Sequence, residues 1–169
     1  EQVLGFRLPG ELAGLDGMSD KRYANNLVAL ERTSICELSY DDLEESCRSL
    51  RGLIHQLMRL ASKEITTDQK MLLLLGKCTA EEKLAAFLLS LSTRYKLRGL
   101  SSTNYSLPMS RRDIGNYLGL TIETVSRLFT RYQEEGVLKV SRREITITDL
   151  PRLKGKVEGY QEHAFTSAS

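Results

Sequence analysis

The chain has 169 residues, 41% of them hydrophobic and 27% charged, the balance of an ordinary soluble globular chain with room for one domain or two small ones. No stretch is apolar for long enough to span a membrane. The net charge of +2 hides an uneven distribution: residues 1–50 carry 5 Lys+Arg against 10 Asp+Glu, or −5, and residues 51–169 carry 19 against 12, or +7, so only the back part suits a polyanionic partner.

The chain begins at Glu1 inside what reads as a strand, with neither a methionine nor a targeting signal, and is expected to be a fragment. Residues 1–48 read as the end of a β-rich domain. Leu4, Phe6 and Leu8 alternate, Pro9-Gly10 turns the chain, and Leu12 to Met18 is a short helix or turn. Leu27 to Leu30 and Ser34 to Leu38 then read as two strands joined around Glu31-Arg32-Thr33. Ser39 with Asp41 and Asp42 marks a helix start. Cys36, Cys47 and Cys78 are an odd number without C-x-x-C spacing, which indicates neither a disulfide framework nor a self-contained zinc site and makes a reducing cytoplasm the default. On spacing alone Cys36 reads as a small buried hydrophobe. His55 and His163 stand in no catalytic spacing, so no enzyme is expected.

Residues 49–77 are expected to form a dimerisation helix. Ile54, Met58, Ala61, Ile65, Asp68, Leu72 and Leu75 are spaced 4-3-4-3-4-3, the spacing of a coiled-coil seam, although such a face can also pack within its own domain. Asp68 is the polar member of the row. Two copies meeting across a symmetric seam would bring like charges together, which is costly when buried and leaves the helix poised between monomer and dimer.

Gly76 and Lys77 close that helix, and the capping box of Thr79 and Glu82 opens residues 78–169, read as a DNA-binding domain. Leu84, Phe87, Leu88, Leu91 and Tyr95 give its first helix a core face, Gly99 ends it, and the segment through Tyr105 and Pro108 is expected to be an exposed connection. Ser110 to Tyr132 reads as a helix-turn-helix. Ser110 and Asp113 cap a helix that buries Ile114, Tyr117 and Leu118, Gly115 suits a close crossing and Gly119 a sharp reversal. Thr121 caps a second helix whose Val125, Leu128, Phe129 and Tyr132 form one apolar stripe. Gly136 ends it, and Val137 to Val140 with Glu144 to Thr148 read as a two-stranded wing around Ser141-Arg142-Arg143. Thr166 to Ser169 is expected to be a disordered tail.

The outward face of the second helix, Glu123, Ser126, Arg127, Thr130 and Arg131, is what a recognition helix offers to a major groove. Arg127 can donate two bonds to guanine O6 and N7, Glu123 can accept from a cytosine amino group, and Ser126 can serve either kind of edge. Ser110, Arg112, Thr121, Thr124 and Arg131, with Arg142 and Arg143 of the wing, are candidates for phosphate contacts, which position without specifying. The bland alternatives are an amphipathic hairpin with a solvated face and a winged helix that binds protein.

The run DIGNYLGLTIETVSRLFTRYQ, the helix AEEKLAAFLLSLS and the strand TSICEL together resemble the CRP/FNR superfamily of bacterial transcription regulators, and closely its oxygen-sensing FNR branch. The resemblance covers nearly the whole chain. It implies an α+β fold made of the C-terminal part of a β-roll sensor domain, a long dimerisation helix and a winged helix-turn-helix domain. It also implies that Glu123, Ser126 and Arg127 read a TTGAT half-site in double-stranded DNA, that the protein is a homodimer with Asp68 in its seam, and that it meets RNA polymerase. FNR-like proteins hold a [4Fe-4S] cluster that controls dimerisation in response to oxygen, and Cys36 in TSICEL matches one of its ligands. The other three ligands have no counterpart here, so this fragment is not expected to hold a normal cluster. PGELAG resembles the start of the phosphate-binding cassette of the cyclic-nucleotide branch, but DGMSDKRYANNLVAL after it lacks the Arg-Ser or Arg-Thr pair. A regulator sensing a cyclic nucleotide or another small ligand is therefore the alternative reading.

Overall fold

A computed structural model describes residues 2–157, so the expected tail at Thr166–Ser169 lies outside the described residues. The chain is α+β and divides into two units, one of Pro9–Gln69 and one of the residues up to Leu8 together with everything from Lys70 onward.

Within Pro9–Gln69, a 3-10 turn at Leu15–Met18 is followed by α1 (Tyr40–Ser49) and most of α2 (Arg51–Lys77). The start of α1 follows from its sequence, since the Ser39 hydroxyl accepts from the Asp42 backbone N–H at 3.1 Å. Leu50, extended at φ −113°, interrupts the helical run before α2.

The strands expected at Leu27–Leu30 and Ser34–Leu38 do not form, and no residue of Pro9–Gln69 is buried. Val28 and Ile35 are 70% and 69% exposed. The alternating pattern is present, but a two-stranded pair is marginal without further strands or a layer to cover its apolar face, and none lies against it among the described residues. Cys36 is likewise exposed, not the buried strand residue its neighbours suggested. The expected seam on α2 is uncovered: Ile54, Met58, Ile65, Asp68 and Leu72 are exposed, and Ala61 and Leu75 are partly so.

The second unit contains the core. The capping box of Thr79 and Glu82 opens α3 (Ala80–Lys96), with the Thr79 N–H donating to Glu82 Oε2 at 2.7 Å. α3 packs with α4 (Arg111–Leu118), α5 (Ile122–Glu134) and α6 (Leu150–Gly155) around fully buried Leu84, Leu88, Ile114, Leu118, Val125 and Tyr132. Leu4, Phe6 and Leu8 make no strand, but Leu8 is buried and the Phe6 ring lies 5.1 Å from Tyr117 and 5.8 Å from Phe87. The last turns of α2 contribute buried Leu74.

β1 (Asn104–Ser106), β2 (Leu138–Ser141) and β3 (Glu144–Ile147) form an antiparallel sheet in the order β1-β3-β2, so the wing has three strands where two were expected. The connection expected to be exposed is part of this sheet. Tyr105 pairs with Ile145, is buried, stacks on Tyr95 at 5.1 Å and donates its hydroxyl to the Leu88 carbonyl at 2.9 Å. Three residues are too few to announce a strand by alternation, and the pairing partner lies about forty residues on.

The turn between α4 and α5 sets the angle of the recognition helix. Gly119 ends α4 in the left-handed region at φ 63°, and the Leu120 N–H donates back to the Gly115 carbonyl at 2.8 Å. A Cβ on Gly115 would stand 2.7 Å from the Leu120 carbonyl oxygen, so the chain can turn this closely only over a residue without a side chain. Gly115→Ala is expected to destabilise the winged domain by about 1–3 kcal/mol, because the atom it meets is backbone and cannot swing aside. Thermal unfolding checks this, and an unchanged midpoint would show that the turn tolerates a side chain.

Candidate nucleic-acid interface

The recognition helix is built as its sequence requires. The Thr121 hydroxyl accepts from the Thr124 N–H at 3.2 Å, and Val125, Leu128, Phe129 and Tyr132 are all buried. That stripe turns Glu123, Ser126, Arg127 and Thr130 to solvent, where all four are exposed. Glu123 and Arg127 are one helical turn apart, so an acceptor and a fork of donors stand side by side in the first half of α5, the end that enters a groove in helix-turn-helix proteins.

The candidates for phosphate contact fall into three groups. Ser110, Thr121 and Thr124 belong to the helix starts: Ser110 donates to Asp113 Oδ2 at 2.7 Å, and the two threonine hydroxyls lie 3.0 Å apart. Arg112 on α4 is exposed, as are Arg142 and Arg143 at the tip of the β2–β3 hairpin, where Arg142 takes φ 55°. Arg131 forms the third group and is tied down within the domain, as described below.

One cation near this face is not identifiable from sequence. The Arg111 guanidinium lies 3.3 Å from the centre of the Phe129 ring, and burial lowers its pKa from the usual arginine value. With Ser110, Arg142 and Arg143 it lines a cavity of about 230 Å³ between the start of α4 and the wing. Only the position of Arg111 directly after the capping serine hints at this; the stacking depends on α5 lying beneath it.

Arg131, expected from sequence to contact phosphate, has carboxylate partners within the domain. Its Nε donates to Glu135 Oε1 at 2.8 Å and its Nη1 lies 3.1 Å from Glu81 Oε2. Lys156, mostly shielded, contacts the same two carboxylates, Glu81 Oε1 at 2.5 Å and Glu135 Oε2 at 2.7 Å, and sits 4.8 Å from the centre of the Tyr132 ring. The Tyr132 hydroxyl donates to the Glu81 carbonyl at 2.9 Å. The hydrogen bond from Lys156, then that from Arg131, holds the Glu135 carboxyl below the usual carboxylate range. Burial works against the charge on Lys156, but its hydrogen bonds to Glu135 and Glu81 outweigh this and raise its pKa. Burial, with the nearby Glu81 charge, also raises that of Tyr132.

The cysteines do not assemble a metal centre. Cys36, Cys47 and Cys78 are free thiols, and no group of three His, Cys, Asp or Glu side chains able to hold a metal ion occurs among the described residues. A [4Fe-4S] cluster needs four thiolates, and the residues present do not fit one.

Comparison with known proteins assigns the domain that carries these residues. The Crp-like helix-turn-helix domain matches residues 82–155, which include α4, α5 and the wing. The chain is also 48% identical over 163 residues to the transcriptional activator protein anr of Pseudomonas aeruginosa, covering 94% of this chain and 67% of that protein. The chain belongs to the CRP/FNR family. Another CRP/FNR relative, the transcriptional activator protein FnrA of Stutzerimonas stutzeri, is 51% identical over 149 residues, covering 88% of this chain and 61% of its own length. The anaerobic regulatory protein of Haemophilus influenzae is 47% identical over 150 residues, with 89% and 58% covered. The chain thus spans 58% to 67% of the length of these relatives. Among solved structures, FixK2 from Bradyrhizobium japonicum aligns with a TM-score of 0.62 at 35% identity, over 68% of this chain and 57% of that one. A CooA mutant from Carboxydothermus hydrogenoformans shares the fold, with a TM-score of 0.58 at 19% identity over 70% of this chain and 55% of that one.

The ion network gives the CRP/FNR winged domain a defined pH response. The folded pKa of Glu135 lies below its unfolded value, so its stabilisation is present above the ordinary carboxylate range and lost as pH falls through the folded value. The folded pKa of Lys156 lies above its unfolded value, so its stabilisation is present below about the ordinary lysine range and lost as pH rises through the folded value. Stability is expected to be greatest between these limits. Glu135→Gln should flatten the acid side of a plot of unfolding free energy against pH, and an unchanged acid limb would remove Glu135 from the account.

Proposed function

We propose that this chain is the dimerising and DNA-reading part of an FNR-type transcription regulator. The observation that carries the reading is the exposed trio Glu123, Ser126 and Arg127 on the first half of α5, set over a buried apolar stripe, with exposed Arg142 and Arg143 on the wing of the same domain. A carboxylate beside an arginine on a face meant for a polyanion is disfavoured by charge alone and makes sense if bases are read. Arg127 takes guanine, Glu123 takes a cytosine amino group and Ser126 adds a third edge contact, on a TTGAT half-site of double-stranded DNA. Arg112, Arg142 and Arg143 bind phosphate on either side.

A two-fold dimer would place two recognition helices on half-sites about one helical turn apart, and the uncovered row Ile54, Met58, Ala61, Ile65, Asp68, Leu72 and Leu75 on α2 is the surface proposed to bring the copies together. Names such as anaerobic regulatory protein among the relatives support a response to oxygen. In the whole protein this response would act in the cytoplasm through a [4Fe-4S] cluster, with Cys36 as one ligand and the others from outside this chain, and the output would be contact with RNA polymerase. Exposed Cys36 is at least open to such a partner group.

Operator binding by the whole protein, measured without air and again after exposure to it, tests this reading. Arg127→Ala should weaken operator binding by about 1–3 kcal/mol and relax preference at one base pair. Arg143→Ala should weaken operator and unrelated DNA alike and reduce the slope of log K against log salt by about 0.9 per protomer. Equal loss on all sequences for Arg127→Ala would argue against base reading, and indifference to air against oxygen response.

Asp68→Ala should shift unliganded protein toward dimer in sedimentation, since it removes a like-charge pair from the proposed seam. Unaltered sedimentation would argue against that seam.

A further inference from the structure

Arg131 stands one helical turn beyond Arg127, so it is the next cation that DNA would be expected to meet along α5. The geometry points to the opposite role, an inference that rests on the DNA-reading assignment above: Glu81 and Glu135 neutralise Arg131 within the domain and withhold it from the DNA backbone, which makes these two carboxylates specificity-determining residues of the interface. Nε and Nη1 of the guanidinium already face carboxylate oxygens, at 2.8 Å and 3.1 Å. A phosphate approaching Arg131 would have to compete with two carboxylate oxygens that already occupy its N–H donors, in a cluster where Lys156 shares both carboxylates and Arg152 shares that of Glu135.

The carboxylates are not free to swing away. Lys156, with only 13% of its side chain exposed, also holds both of them, at 2.5 and 2.7 Å, and sits over the Tyr132 ring. Arg152 does not restore a free cation, because its Nη1 donates to the Glu135 carbonyl at 2.8 Å while its Nη2 lies 3.7 Å from the Glu135 carboxylate. Arg131 itself is 55% exposed, so burial alone would not keep phosphate from it. Its partners do.

Neutralising this arginine has a functional sense. Phosphate contacts raise affinity for every sequence equally, so a cation withdrawn at the trailing end of the recognition helix lowers non-specific binding and leaves discrimination to Glu123, Ser126 and Arg127.

The experiment compares the salt dependence of binding to operator and to unrelated DNA for the parent protein, Arg131→Ala, the Glu81→Gln/Glu135→Gln double variant, and that double variant with Arg131→Ala added. Arg131→Ala is expected to leave both affinities and the salt slope unchanged. The double variant is expected to bind unrelated DNA several-fold more tightly, with a slope steeper by about 0.9 per protomer or more because Lys156 loses both carboxylates and Arg152 that of Glu135, and addition of Arg131→Ala should take about 0.9 of that increase away. A slope that becomes shallower by about this amount in Arg131→Ala alone overturns the inference, as does an unchanged slope in a folded double variant. If the double variant unfolds, Arg131→Ala still decides. Arg127→Ala in the same series separates the two levels: lost base preference there with a shallower slope in Arg131→Ala sinks this inference alone, whereas no base preference to lose sinks the DNA-reading assignment with it.

Discussion

The interface depends on the close passage of Leu120 over Gly115. It lets α4 stop and α5 begin within three residues, because the Leu120 carbonyl can come this near to position 115 only where there is no Cβ. Given that turn, the buried stripe of α5 has one place to go, into the space bounded by Leu84, Leu88 and Ile114, and the opposite face is thereby aimed outward. The trio proposed to read bases inherits its direction from apolar packing behind it. The caps Ser110 and Thr121 then fix where each helix starts, so the register of Glu123, Ser126 and Arg127 along the axis is set by local hydrogen bonds.

These local rules explain what could be read from sequence. The caps, the two glycines and the 3-4 stripes of Ser110–Tyr132 are all decided within a turn or two of helix, and the structure has them where the residues place them. What was misread, or could not be read at all, depends on distant partners. Tyr105 is a strand residue because of Ile145, and Arg111 stacks because Phe129 comes to lie under it. Arg131 is occupied by a carboxylate fifty residues earlier in the chain and a lysine-bound glutamate beyond it. The strands expected between Leu27 and Leu38 fail for the same reason in reverse, since their alternating pattern is genuine but nothing among the described residues pairs with or covers it.

Charge is placed with a similar division of labour. Arg112, Arg127, Arg142 and Arg143 stand exposed, while Arg131 at the far end of α5 and Lys156 are locked to Glu81 and Glu135 beside Tyr132. A modest net charge of +2 is compatible with a polyanionic partner because position, not total, governs local attraction.

The absence of any buried residue in Pro9–Gln69 has a thermodynamic consequence. The heat capacity of unfolding comes from apolar surface newly exposed to water, and a segment that already exposes its leucines and valines has little left to expose. The calorimetric transition of this chain is therefore in essence that of its winged domain. Pro9–Gln69 would acquire an enthalpy and a cooperative transition of its own only when something covers its apolar side chains, so its thermal signature is a property of assembly more than of sequence.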